Sequence, residues 1–180
     1  SNVLPAGVGQ RFAPGELLLL QVHYLNTSPE PLEAKVHLTM HTTDPALVES
    51  EVGVLFFFNP VIHVPALATS SSELACPVAN DMHLLYGASH MHKRAVAFEA
   101  HLDGEAEGSL FATDDWSEPV PRVFGEGEGL IKAGSTIRYG CEFENPDDFP
   151  VIAGPSAETN EMCMFVGMYY PKADPATENC

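Results

Sequence analysis

Proline and glycine break this chain into short pieces: 15 prolines and 14 glycines are spread through its 180 residues. Proline removes a backbone donor and clashes with the preceding helical turn, and glycine weakens a helix interior. Long helices are therefore excluded, and the pieces left between the breaks are rich in β-branched and aromatic residues, which favour strands. Strand-like runs fall at residues 17–25, 35–41, 52–58, 72–78, 83–92, 94–102, 135–143 and 161–170. Several alternate with period two; Val36, Leu38 and Met40 set against Lys35, His37, Thr39 and His41 give the pattern of a strand with one buried face. The only helical hint is a turn at 44–49. Stretches 125–129 and 145–148 read as solvated loops. The expected fold is all-β, an antiparallel β-sandwich of jelly-roll type.

Apolar residues make up 45% of the chain and charged residues 18%, so a packed core is expected, and the length fits one domain. Against 8 basic residues stand 25 acidic ones, a formal charge of -17. Such a surface repels a phosphate backbone or an anionic bilayer, so nucleic acid is not an expected partner. The longest apolar runs, at 17–20 and 52–58, are far shorter than the roughly 20 residues a membrane-spanning helix needs. The sequence opens on Ser1-Asn2 rather than Met, and further residues upstream are expected. Cys76, Cys141, Cys163 and Cys180 are even in number and have no CxxC spacing. That fits two disulfides better than a thiolate metal site, and so an extracytoplasmic location, secreted, periplasmic or lumenal.

Two segments carry chemistry. In His90-Met91-His92 the imidazoles stand at i and i+2, which in a strand puts both on one face and lets them converge on one ion. The second is Asn160-Glu161-Met162-Cys163-Met164, at the start of an apolar run ending in Tyr169-Tyr170-Pro171. Its methionines would ordinarily be core packing. A thioether is, however, a soft ligand suited to Cu(I), and imidazole suits copper in either oxidation state. Two histidines and a methionine thus form a set able to hold a cycling copper.

Three stretches resemble the ascorbate-dependent copper monooxygenases of the peptidylglycine and dopamine β type. Residues 82–92, MHLLYGASHMH, are similar to the family segment in which MH precedes an HxH copper pair. Glu161-Met162-Cys163 followed by Tyr169-Tyr170 is similar to its EMC...YY segment, and Leu19-Leu20-Gln21-Val22-His23-Tyr24 to its LQVHY strand at the junction of two domains. The resemblance implies a C-terminal catalytic copper domain. One copper would be held by His90, His92 and Met162, where O2 is activated to hydroxylate a substrate C–H bond with electrons from a reductant such as ascorbate. It also implies disulfides Cys76 to Cys180 and Cys141 to Cys163. Residues 1–16 then read as the remnant of an interdomain linker and 17–180 as a single copper-binding sandwich. His23 would be a ligand of a second, electron-transferring copper only in a longer polypeptide with an N-terminal domain.

The chain also departs from the family. No adjacent His-His pair, which the second copper requires, occurs in it. Peptide-hydroxylating members hold a substrate carboxylate with an arginine, a tyrosine and an asparagine; here Ala88, Val166 and Met164 stand at those places. None of the three can donate to a carboxylate, so amidation of glycine-ended peptides is not expected and the substrate, a small organic molecule or a peptide, is left unidentified. The competing readings are a copper-binding or copper-handling module without catalysis and a sandwich that binds carbohydrate or protein. Of the remaining histidines, His83 is a candidate to support the ligand pair, His63 is expected to be buried, and His37, His41 and His101 are expected at the surface.

Overall fold

The computed structural model of the chain describes residues 4–20, 22, 29–105, 108–173 and 179–180. Among them are seven strands of five residues or longer, which we label β1 (Gly53–Phe58), β2 (Ala68–Pro77), β3 (Met82–Met91), β4 (Ala95–Leu102), β5 (Ser109–Thr113), β6 (Thr136–Asn145) and β7 (Cys163–Tyr170). In one sheet β7 lies between β3 and β1, and the short strand Leu130–Ile131 extends the β3 side; in the other the order is β2, β6, β4, β5. All pairings among these strands are antiparallel. The fold is an all-β sandwich.

Period-two patterning explains why the sheets face each other. In β1 the inward residues Leu55 and Phe57 are 0% and 1% exposed while the outward Val54 and Phe56 are 44% and 51% exposed. Aromatic rings bridge the two layers: Phe57 of β1 lies 6.2 Å from Tyr139 of β6, and Phe98 of β4 lies 6.2 Å from Phe165 of β7. Where strands must approach closely, glycine is required. A Cβ on Gly167 would meet the Tyr86 carbonyl oxygen at 2.5 Å, and one on Gly53 would enter the ring of Tyr169.

Two disulfides fasten the layers. Cys141 of β6 is joined to Cys163 at the start of β7, and Cys76 of β2 to Cys180. These are the pairs that the resemblance implies. Near the second bridge the chain end runs beside β1, with Asn179 bridged to Phe56 and the Phe58 N–H donating to the Cys180 carbonyl at 3.2 Å.

Two expected strands do not appear among the described residues. Residues 17–20, 22 and 35–41 form none, and every described residue between 10 and 47 is exposed. Alternation says which face of a strand would be buried; it does not supply the neighbouring strand whose backbone groups complete the ladder. No sheet edge among the described residues accepts Val36, Leu38 and Met40, which remain 47%, 61% and 53% exposed. Residues 21 and 23–25 of the first run, His23 included, lie outside the described residues. The expected turn at 44–49 is the 3-10 helix Pro45–Leu47, capped by the Asp44 carboxylate, which accepts from the Ala46 N–H at 2.9 Å. No helix among the described residues is long and apolar enough to cross a membrane.

Candidate functional site

The histidine pair sits where β3 ends. His90 is paired with Met164 and Met91 with Cys163, the last pair of the ladder; His92 and Met162 are the residues just beyond it on the two strands. Directly opposed residues of an antiparallel pair project to the same side of the sheet. Met91 and Cys163 go inward, where they are 2% and 0% exposed, so His90 belongs to the outer side; His92, just past the ladder, is buried at 6% exposure. The two imidazoles are neighbours, with ring centroids 5.5 Å apart and planes at 88°. Met162 is half-buried, between the short strand Asn160–Glu161 and β7, and is not one of the core methionines.

The surroundings of His92 fix which of its nitrogens is free. Nδ1 lies 3.0 Å from the Asn160 carbonyl oxygen. A carbonyl only accepts, so Nδ1 carries the proton and Nε2 presents its lone pair. The hydrogen bond also ties the histidine strand to the residue two positions before Met162. His90 is exposed as a residue, yet partial desolvation of its ring, with His92 beside it, lowers its pKa below the ordinary value. Both effects favour the neutral imidazole that a metal needs.

Beneath the pair lies a buried charged network. Glu161 is fully buried; one carboxylate oxygen accepts from the His92 N–H at 3.1 Å and the other from the Arg94 N–H at 2.9 Å. The Arg94 side chain, 2% exposed, has Nη1 at 3.7 Å from Glu161. Its Nε donates to Asp147 at 2.8 Å, and Nη2 to Asp147 and to the Glu158 carbonyl. Burial pushes the Glu161 carboxyl up, opposed chiefly by the hydrogen bond from the Arg94 backbone N–H. Sequence reasoning missed this network. The available signal was a glutamate opening an apolar strand, which must find donors if it is buried.

Beside the pair the outer face of the sheet is apolar. In one row across it Ala88 pairs with Val166 and Val166 with Phe56; in the next, His90 pairs with Met164 and Met164 with Phe58. The outward positions of β1, β3 and β7 include no Asp, Glu, Lys or Arg. Ala88, Val166 and Met164 thus lie together next to His90.

Other expected residues lie elsewhere. His83 stacks on Tyr170, with ring centroids 5.1 Å apart, roughly 20 Å along β3 from His90, too far to support the pair. His63 is exposed, not buried, because it points to the outward side of its short strand while Ile62 and Val64 point in. Among the described residues no group of three or more His, Cys, Asp or Glu is placed to hold a metal. No family model matches the chain.

Proposed function

We propose that this chain is the copper-holding, O2-activating domain of a copper monooxygenase, with His90, His92 and Met162 as the ligands of a single ion. What supports the reading is the closeness of the two imidazoles, whose ring centroids are 5.5 Å apart, together with the ladder pair Met91 with Cys163, after which His92 and before which Met162 stand next in their strands. Copper held there supplies redox cycling and an open coordination position for O2. In the overall reaction one oxygen atom enters a substrate C–H bond to give an alcohol. The other leaves as water, and a reductant such as ascorbate supplies two electrons.

The protein's own groups prepare the site. The Asn160 carbonyl holds the proton of His92 on Nδ1 and so directs Nε2 outward. The uncharged row Ala88, Val166 and Phe56 suits a substrate that offers apolar surface to this face, and that row contains no donor for a carboxylate. The substrate is accordingly an apolar organic molecule or the apolar part of a peptide. Two disulfides fit an oxidising compartment, so the domain works outside the cytoplasm. Electron delivery is assigned to an N-terminal domain of the same polypeptide.

A non-catalytic copper-binding module is the second reading, favoured by Ala88, Val166 and Met164 beside His90, none of which can hold a substrate carboxylate. Oxygen uptake coupled to a hydroxylated product decides between them, measured on the longest natural polypeptide with ascorbate. The monooxygenase reading expects turnover that disappears in His92→Ala and in Met162→Ala. Stoichiometric copper with no turnover over a panel of apolar substrates would replace it with the module.

A further inference from the structure

We infer that Glu161 is a positioning residue for the ligand set: its carboxylate latches the end of the histidine strand to the methionine strand where the ladder between them stops. The inference rests on the copper reading above. The last ladder pair is Cys163 with Met91. Beyond it the methionine strand leaves the sheet, and Glu161 instead pairs in parallel with Ala153 of the short strand Val151–Ala153. His92 and Arg94 are left past the end of β3 with backbone donors that no ladder satisfies. The Glu161 side chain takes over, one oxygen on each N–H, at 3.1 and 2.9 Å. Because Glu161 is bonded to Met162, the latch fixes the backbone of His92 relative to that of Met162 across the place where strand pairing no longer does so.

Burial makes the device stiff. Glu161 is 0% exposed, so a carboxylate there requires compensation, and Arg94 supplies it from the same turn as His92. Asp147 and the Glu158 carbonyl hold the guanidinium in turn. The chain Asp147, Arg94, Glu161 thus joins three segments around one turn. A charge-assisted pair of backbone contacts is stronger and more directional than packing alone, which is what converging two ligands from different strands needs.

The test uses the wild-type chain and Glu161→Gln, with Ile137→Val, buried at the other end of β6 opposite Leu102, as a variant of reduced stability. In the metal-free proteins, long-range nitrogen-proton spectra read the His92 tautomer, which requires no copper. Wild type and Ile137→Val are expected to show the Nδ1–H form alone, and Glu161→Gln a mixture of both forms. Competition titration with Cu(I) is expected to find affinity lowered roughly tenfold or more in Glu161→Gln but little changed in Ile137→Val. A Glu161→Gln protein with the wild-type tautomer and affinity overturns the inference. Failure of wild type to bind copper refutes the copper reading, while the tautomer still judges the latch. Should Glu161→Gln not fold, hydrogen exchange of wild type decides. Amides of His92 and Arg94 protected like those of β3 support the latch, and rapid exchange of both overturns it.

Discussion

Replacing Cys141 and Cys163 together by alanine removes the bridge beside Met162, and the loop it closes sets the cost. The two residues are 22 apart in sequence, which by loop-closure entropy corresponds to about 3.4 kcal/mol at 25 °C. For Cys76 and Cys180, 104 apart, the same relation gives about 4.8 kcal/mol. Either loss is a large part of the roughly 5 to 15 kcal/mol that stabilises a typical domain. Urea unfolding of the two double variants, each with the other bridge intact, should place both losses in this range, the longer loop costing more. Copper affinity should rank the other way. Losing the Cys141 bridge frees the backbone next to Met162, whereas Cys180 lies at the far edge of β1. A Cys141 and Cys163 variant that loses less than about 1 kcal/mol, or that binds copper more tightly than the Cys76 and Cys180 variant, would refute this reasoning.

The two faces of β1 should respond differently to truncation. Phe57→Ala, at 1% exposure between the layers, is expected to cost about 3 to 5 kcal/mol in chemical denaturation. Phe56→Ala, at 51% exposure, should cost about 1 kcal/mol or less and show its effect as a raised KM for an apolar substrate. Acid should destabilise the fold through its surface carboxylates. Asp81 is held below the usual carboxylate range by the Ala133 N–H and then by Lys132, Asp103 by Arg138, and Asp115 by the N–H of Glu118. A depressed folded pKa contributes stability that is complete above the ordinary value, about 4, and is lost as pH falls through the folded values. Melting temperature should therefore drop below about pH 4, less steeply in Asp81→Asn; a flat or rising profile would contradict this.

The sandwich was legible because its long strands carry their own evidence. The run at 52–58 and the one at 161–170 alternate or stay apolar between breaks, and β1 and β7 appear within a residue or two of those limits. β5 was missed, since Ser109–Thr113 is short and has little alternation. The run at 35–41 has a better strand pattern than β5 yet forms no strand, because pairing depends on a partner edge that no local pattern encodes. At the site, the i and i+2 spacing of His90 and His92 was readable directly. Met162 was not distinguishable from Met164 and Met168 by pattern, and only the resemblance singled it out. The roles of Glu161, Arg94 and Asp147 depend on residues 53 and 67 apart meeting in the interior, which no spacing rule reaches.

X-ray absorption of the Cu(I)-loaded chain tests the central assignment most directly, because sulfur and nitrogen scatter differently. Wild type should bind one copper per chain with a sulfur neighbour beside nitrogen, and Met162→Leu should keep the nitrogen shell and lose the sulfur. A sulfur signal that persists in Met162→Leu, or is missing from wild type, would contradict the His90, His92 and Met162 ligand set.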